Sequence, residues 1–275
     1  MTTSDAPRPT TRRALLGGTV AATAALATAG AAGPVAARAH HADGTAPSPG
    51  AGRPGRPGRP GPSIGVLLYD GFSLLDPTGP TEVLSRLPGA TVTMVAERRG
   101  PVRTDTGDAA VLADRALEEV DRFDVLLVPG AGNRGTVGAM ENRSLLRWIR
   151  RVHRRTRWTT SVCTGSLVLA AAGLLDGRRA TTYWASAGYL EATFDVTYLP
   201  ERYVRAGKII TAAGVSAGVD MALYLAALLT DETTARAVQL AVEYDPRPPF
   251  DSGNAATADP GLKELALRIL ADSQR

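Results

Sequence analysis

Residues 158–173 read WTTSVCTGSLVLAAAG, and this stretch decides the fold. Trp158 to Cys163 predicts a strand, and Thr164 to Ala172 predicts an Ala- and Leu-rich helix that ends at Gly173, a common residue after a helix. The chain therefore passes from strand to helix at Cys163. In a parallel sheet such a junction lies at the carboxyl edge, where α/β proteins bind their ligands.

The segments on either side of this junction alternate between strand and helix patterns. Strands are predicted, from the amino end, at 63–69, 91–97, 124–128, 180–184, 195–199, 202–205 and 208–212. Helices are predicted at 76–87, 142–155, 216–229, 233–243 and 262–272. The alternation predicts an α/β fold with a mostly parallel sheet covered by helices on both faces, a three-layer sandwich.

The first 39 residues have the layout of an export signal. Arg12-Arg13 directly precedes an uncharged, Ala-rich run from Ala14 to Ala32, and Ala37-Arg38-Ala39 offers a small-residue cleavage site. The arginine pair favours the twin-arginine route, with cleavage after Ala39. A retained membrane anchor is the alternative, but the run is too rich in Ala, Gly and Thr to insert strongly. We expect an exported protein with no stable membrane anchor.

Residues 40–62 carry three Gly-Arg-Pro repeats and predict a disordered spacer before one domain at 63–275. Of the 31 basic and 27 acidic residues in the chain, seven arginines and two aspartates precede residue 63, so the domain holds 24 basic and 25 acidic side chains. A near-neutral domain gives little electrostatic support for a nucleic-acid partner. We also see no clustered Cys and His for a metal site and no nucleotide-binding glycine motif, so no cofactor is expected.

Cys163 is the single cysteine of the chain, which rules out an internal disulfide. The amides and dipole of the helix that follows favour a thiolate, so we expect a thiol pKa below about 8.5, with the Thr164 N–H placed to stabilise an oxyanion. Gly130 and Gly132, after the neighbouring strand, would let a second backbone donor approach. The position of Cys163 alone supports a reactive nucleophile and an inert, buried cysteine equally.

The segment from Ser161 to Thr182 resembles the nucleophile region of the ThiJ/PfpI superfamily, whose fold is class I glutamine-amidotransferase-like and flavodoxin-like. Three further stretches agree: Gly71 to Leu84, Val128 to Gly132 with Ala131 at its centre, and Val238 to Phe250. The resemblance covers about residues 63–260 and is strongest to the isonitrile hydratase branch. It implies addition of water to an isonitrile without a cofactor, through a thioimidate on Cys163.

The resemblance also implies a carboxyl group that relays protons beside the cysteine. Asp76 aligns with the acidic residue of the family, and Glu82, six residues further on, is the second choice. Asp76 as a helix N-cap and Glu82 as a solvated helix residue remain the ordinary alternatives. Thr164 is a candidate to contact substrate or water through its hydroxyl, unless its side chain caps the helix.

One departure from the family concerns Tyr183, where many relatives carry histidine. His153, the only histidine of the domain, lies on an Arg-rich helix and is expected at the surface. A Cys-His-Glu triad therefore has no visible base, which disfavours amide hydrolysis. Tyr183 is expected either to donate a hydrogen bond to substrate or to fill space.

Three functions follow from these observations. The first is an isonitrile-hydratase-like lyase acting on a small molecule, and the family suggests a homodimer. The second is a non-catalytic ligand-sensing module of the kind found in AraC-type regulators, although no helix-turn-helix domain fits after residue 260. The third is a thiol-dependent hydrolase or stress protein of the same superfamily. The reactivity of the thiol separates a nucleophile from an inert cysteine.

Overall fold

The computed structural model describes residues 60–274. The predicted export signal and nearly all of the predicted spacer lie outside the described residues. Two residues of the predicted spacer contact the domain, since Pro62 accepts a hydrogen bond of 3.0 Å from the Thr91 N–H and a Cβ on Gly61 would lie 2.2 Å from the carbonyl carbon of Gly89. Within residues 60–274, no helix has the length and apolar character needed to cross a bilayer.

The described chain forms eleven strands and eight helices. The strands are β1 (Ser63–Leu67), β2 (Thr91–Ala96), β3 (Gly100–Arg103), β4 (Ala110–Ala113), β5 (Arg115–Ala116), β6 (Val125–Val128), β7 (Trp158–Val162), β8 (Arg178–Ala180), β9 (Val196–Tyr198), β10 (Tyr203–Ala206) and β11 (Ile209–Ala212). The helices are α1 (Leu75–Leu84), α2 (Asn133–Glu141), α3 (Arg143–His153), α4 (Gly165–Ala171), α5 (Ala187–Thr193), α6 (Val215–Leu229), α7 (Glu232–Ala241) and α8 (Pro260–Ser273).

Seven strands form the central sheet, in the order β10-β11-β7-β6-β1-β2-β5. All neighbours pair in parallel except β10 and β11, which form an antiparallel hairpin at the edge, with Gly207 and Lys208 in the turn and Ala206 still paired with Ile209. Two small sheets stand apart from it, the antiparallel pair β3-β4 and the parallel pair β8-β9. The predicted mostly parallel sheet is therefore confirmed.

Side chains alternate between the two faces of the sheet, as the period of two residues in a strand requires. On β6, Leu126 and Val128 pack with α3, α4 and α5, whereas Val125 and Leu127 pack on the opposite face with α1, α6 and α7. Each face thus has its own apolar core, with a layer of helices outside it. The three-layer α/β sandwich predicted from the sequence is present.

Two short helices, α2 and α5, are not predicted from the sequence. No element is predicted between Gly132 and Asn142, yet α2 forms there despite Gly135 and Gly138, each of which costs a helix up to about 1 kcal/mol relative to Ala. The predicted strand at 180–184 is largely wrong, since β8 ends at Ala180 and a single 3-10 turn, Trp184–Ser186, leads into α5. Tertiary packing, rather than local propensity, holds these elements.

The order of the strands brings three chain segments to one edge. Strands β7, β6 and β1 are neighbours, and all three run in the same direction. The residues that follow them, Cys163 after β7, the 129–132 loop after β6, and Tyr69 to Asp76 after β1, therefore meet at the carboxyl edge of the sheet. This edge holds the candidate site.

Candidate active site

Cys163 sits on a sharp turn between β7 and α4. Its φ is +56°, a left-handed conformation that only one other non-glycine residue in the described chain adopts. The Cys163 N–H donates to the Ala212 carbonyl at 3.0 Å, and the Cys163 carbonyl accepts from the hydroxyls of Thr182 at 3.2 Å and Ser166 at 3.1 Å. These bonds hold the strained backbone, and the predicted strand-to-helix turn is confirmed.

Asp76 is completely buried in the first turn of α1. Its Oδ2 accepts a hydrogen bond of 2.9 Å from the Gly130 N–H, while its Oδ1 has no hydrogen-bond partner within residues 60–274. Burial is the main cause that raises the pKa of Asp76 to about 7, against the lowering effect of the Gly130 bond. Its side chain makes no cap for its own helix, so the alternative that it is an ordinary N-cap is excluded.

Gly130 allows these two groups to approach each other. A Cβ on Gly130 would lie 2.7 Å from Oδ2 of Asp76, 2.7 Å from the Cβ of Cys163 and 2.7 Å from the backbone nitrogen of Thr164. These separations are far below van der Waals contact, so any side chain here would push the three groups apart. The glycine therefore places the carboxyl group of α1 directly beside the cysteine of the turn.

Thr164 is buried and ties the cysteine turn to the loop after β6. Its Oγ1 accepts from the Ala131 N–H at 2.9 Å, donates to the Ala131 carbonyl at 3.1 Å and lies 2.9 Å from the hydroxyl of Thr136. Although Thr164 is the N-cap residue of α4, its side chain makes no capping hydrogen bond. The threonine hydroxyl thus fixes the loop, and the alternative of a helix cap is wrong.

The loop Gly130-Ala131-Gly132 presents no unused backbone donor. Gly130 donates to Asp76, Ala131 donates to Thr164, and the Gly132 N–H donates to the Gly71 carbonyl at 3.2 Å. The expected second oxyanion donor from this loop is therefore wrong. Its glycines serve close approach, and the Thr164 N–H is the backbone donor that acts on the sulfur.

The thiol pKa moves in the direction opposite to our expectation. Burial raises the pKa of Cys163 well above its ordinary value, and the charge of Asp76 raises it further. The Thr164 N–H and hydroxyl lower it, but less. Helix α4 has only seven residues and contributes little dipole, so burial prevails. At neutral pH the resting sulfur is a thiol beside a carboxyl group that titrates near pH 7.

The other two predicted residues differ in their placement. Tyr183 is half-buried, packs against the core cluster that contains Cys163, and has a pKa raised by burial and, second, by Cys163. Its ring lies 5.4 Å from that of Trp184. Glu82, in contrast, is exposed and pairs with Arg86 along α1. The structure brings Tyr183 to the cysteine and leaves Glu82 as an ordinary solvated helix residue.

Two site residues escaped the sequence analysis. Tyr69, just after β1, is buried, donates to the Pro129 carbonyl at 2.6 Å, and has a pKa raised by burial, then by Asp76 and Cys163. Asp105, in the turn between β3 and β4, contributes to raising the pKa of both Asp76 and Cys163. The position of Tyr69 beyond a strand end could have indicated it, whereas no local signal marked Asp105.

His153 is not a surface residue as expected. It is half-buried, and its Nδ1 lies 2.8 Å from the hydroxyl of Thr159 near the start of β7. Burial, followed by the charge of Lys208, lowers the pKa of His153 to about 4. Because Cys163 follows the other end of β7, the imidazole lies at the opposite edge of the sheet and cannot serve the thiol. Within residues 60–274, no group of three or more His, Cys, Asp or Glu side chains could hold a metal ion.

Comparison with known proteins agrees with this arrangement. Residues 62–228 match the model of the DJ-1/PfpI family. The chain is 42% identical over 210 residues to isonitrile hydratase of Pseudomonas putida, covering 76% of this chain and 90% of that protein. It is also 34% identical over 134 residues to the HTH-type transcriptional regulator CdhR of Pseudomonas aeruginosa, a match that covers 46% of this chain and 37% of the regulator.

Among solved structures, a ThiJ/PfpI family protein from Pseudomonas syringae superimposes with a TM-score of 0.72 at 35% identity, covering 78% of this chain and 88% of that one. The shared fold, the family match over most of the described domain and the extent of the sequence identity point the same way. The chain belongs to the DJ-1/PfpI family.

Proposed function

We propose that this protein is an isonitrile hydratase, which adds water to R–N≡C to give the formamide R–NH–CHO. The observation that carries the proposal is the pairing of Cys163 with a fully buried Asp76 whose Oδ1 lacks a partner in the described chain. The identity to the isonitrile hydratase of Pseudomonas putida over nine-tenths of that protein supports the same chemistry.

In the first half of the reaction, the thiol adds to the terminal carbon of the isonitrile. The carboxylate of Asp76 takes the proton of Cys163 as the carbon–sulfur bond forms, and then delivers that proton to the same carbon. The S–H group is thereby added across one carbon, and the product is the thioimidate R–N=CH–S. A pKa of about 7 suits Asp76 to accept and return a proton near neutral pH.

In the second half, water resolves the thioimidate. The water oxygen adds to the carbon while Asp76 takes a proton from that water, and the proton passes to nitrogen to give R–NH–CH(OH)–S. The carbon–sulfur bond then breaks, sulfur leaves with the bonding electrons, and the hydroxyl proton returns to it through Asp76. The formamide departs, and Cys163 is again a thiol. Neither an oxidant nor a metal ion is required.

The raised thiol pKa is compatible with this scheme because no free thiolate needs to accumulate. The thiol proton leaves as the bond to carbon forms. The rate therefore depends more on the carboxylate of Asp76, which accepts that proton, than on the fraction of thiolate at rest. In our proposal the N–H of Thr164 stabilises the charge that develops on sulfur, and the hydroxyl of Tyr183 is available to the substrate nitrogen. A basic histidine is not used.

A binding module is the competing function. It is favoured by the buried, high-pKa thiol and by the similarity to part of the regulator CdhR. A binding module with an inert Cys163 would bind its ligand without forming a covalent adduct. Turnover and adduct formation therefore separate the two functions.

The test is incubation of the purified protein with cyclohexyl isocyanide, with formamide followed by chromatography and Cys163 by intact mass spectrometry. We expect turnover by the wild type and by His153→Gln, and none by Cys163→Ala. Asp76→Asn should form little thioimidate and little formamide, because the first half of the proposed reaction already uses the Asp76 carboxylate to take the thiol proton and deliver it to carbon. Neither formamide nor adduct on a folded wild-type protein, across a panel of alkyl and aryl isonitriles, would exclude the hydratase and leave the binding module.

A further inference from the structure

The carboxyl-terminal part of the chain touches the rim of the site at two places. At the first, a cavity of about 70 Å³ lies between Trp184 and the segment that leads into α8, with Ala258, Leu262 and Ala266 among its walls. Trp184 is the neighbour of Tyr183, which packs beside Cys163. The first contact is therefore one residue away from the site.

The second contact lies on the other side of the cysteine. The carboxamide of Gln274 packs so closely on Gly132 that a Cβ there would lie 2.6 Å from its Oε1 and 2.7 Å from its Cδ. Its Nε2 donates to Oδ2 of Asp105 at 3.2 Å, and the same oxygen accepts from the Ser73 hydroxyl at 2.9 Å. Gln274 thus rests on the loop that carries Gly130 and on the carboxylate that acts on Cys163 and Asp76.

These contacts define the path of α8. Ala266 and Gln274 are eight residues apart, which corresponds to about 12 Å along a helix. The helix thus joins a contact beside Tyr183 to a contact on Gly132, which is the path that a cover over Cys163 would take. The 8% exposure of Cys163 agrees with a covered sulfur.

Helix α8 is held loosely for an element in this position. None of its residues is buried, and Leu265, Leu267, Ile269 and Leu270 are between 38% and 60% exposed. An element with so little buried apolar surface opens at a small cost in free energy. The Gln274 carboxamide, bonded to a charged partner, is a contact at its carboxyl end that can hold it closed.

We propose that α8 is the cover of the cysteine site and that Gln274 is the residue that limits the size of the substrate reaching Cys163. Small isonitriles enter beneath the closed helix, and bulky ones require the Gln274–Asp105 contact to break. The inference rests on the proposed function for the identity of the substrate. Its physical content, access to the sulfur, is measurable without turnover.

Because the chain has one cysteine, alkylation reports on Cys163 alone. We would compare the rate with iodoacetamide, a small probe, and with N-(1-pyrenyl)maleimide, a bulky one. Gln274→Ala removes the contact, and Gln274→Glu places a second carboxylate against Asp105. Ser273→Ala is the matched control, since within the described chain the Ser273 hydroxyl bonds only to the Leu270 carbonyl of its own helix.

Both Gln274 variants should raise the ratio of the bulky to the small rate by about tenfold, the effect expected from losing a hydrogen bond to a charged group, and Ser273→Ala should leave the ratio unchanged. The same variants should shift kcat/KM toward bulky isonitriles. An unchanged ratio in both variants, or equal acceleration of both probes, would overturn the cover. If the ratio responds and no formamide forms, the proposed function fails and the cover stands; if formamide forms and the ratio does not move, the reverse holds.

Discussion

The Gly130 N–H binds Oδ2 of Asp76 at 2.9 Å and leaves Oδ1 as a buried acceptor without a partner in the described part of the chain. One oxygen of the carboxyl group is thus fixed by the backbone, and the other is available for a proton. The bond from Gly130 sets the orientation of the carboxyl group, and in the proposed reaction the other oxygen accepts and returns the proton. This division of labour within one side chain generates the first two predictions.

The rate of thiol modification should follow the ionisation of Asp76. Below its pKa of about 7 the carboxyl group is protonated and cannot accept the proton of Cys163, so the iodoacetamide rate should rise through that pH. Asp76→Asn should lower the hydration rate by about 10²- to 10⁴-fold, the usual contribution of a general base, and remove the step near pH 7. Rates measured from pH 5 to 9 check this. A step that survives in Asp76→Asn would assign the titration to another group.

The free energy of unfolding should also depend on the ionisation of Asp76, and it should fall as the pH rises. Because the folded pKa of Asp76 is raised from 3.8 to about 7, the native state binds the extra proton between these values, and this contribution to stability is lost as the pH rises through 7. Relative to Asp76→Asn, the wild type should lose on the order of 2 kcal/mol between pH 5 and 8.

Urea unfolding of both proteins at the two pH values checks this second prediction. His153 has a pKa lowered from 6.5 to about 4, so its contribution to stability has the opposite pH dependence. That contribution is lost as the pH falls from 6.5 toward 4. The His153 contribution is the same in the wild type and in Asp76→Asn, so it cancels in the difference between their free energies of unfolding. A difference that is constant with pH would contradict the burial of an ionisable Asp76.

Gly130→Ala should disable the site more than the fold. The new Cβ would lie 2.7 Å from Asp76, Cys163 and Thr164 and must displace them, and a shift of about 1 Å at reacting groups can cost on the order of 10² in rate. Gly138→Ala in α2 is the matched control, because nothing lies within 4 Å of its Cβ position. It should keep its activity and gain up to about 1 kcal/mol in stability. Equal activities of the two variants would refute the close approach.

Thr164→Val and Thr164→Ser should differ sharply although both are close in size to the original residue. Valine leaves the buried Ala131 N–H without its acceptor at 2.9 Å, which costs about 1–3 kcal/mol, whereas serine keeps the hydroxyl. We expect valine to lower both the unfolding free energy and the hydration rate, and serine to restore most of each. Thermal unfolding and kcat/KM are the readouts. If serine behaves like valine, the methyl group rather than the hydroxyl is what matters.

The leader remains a prediction that bears on where the chemistry would take place. Replacement of Arg12 and Arg13 by lysine should keep the full-length protein in the cytoplasm, since the arginine pair is the feature of the twin-arginine route. In the wild type, the mature amino terminus should be His40. Cell fractionation and amino-terminal sequencing check both points. Normal export of the lysine variant would rule out that route.

The sequence predicted the parts of the site that depend on local pattern. The strand-to-helix junction at Cys163, the glycines after β6 and the position of Asp76 at the start of α1 follow from the order of short elements at one edge of a parallel sheet. The direction of the thiol pKa did not follow, because it depends on how deeply the sulfur is buried and on a carboxyl group 87 residues away in the chain.

Residues joined only by the tertiary fold also escaped prediction. Asp105 and Gln274 are 169 residues apart, and nothing in the local sequence of either indicates a contact. Helix α2 escaped for a different reason: its two glycines hide the helical pattern, and its packing against α3 and α4 is what holds it. Periodicity indicates which face of an element is buried, and it cannot indicate which distant side chain covers it.

The left-handed backbone at Cys163 has a consequence for the evolution and engineering of this chain. A non-glycine residue at φ +56° carries strain on the order of 1 kcal/mol, which glycine would relieve. Cys163→Gly would relieve this strain and also remove the proposed nucleophile, so backbone stability and the proposed reactivity compete at this position. A stabilised variant of this protein would have to gain its stability elsewhere.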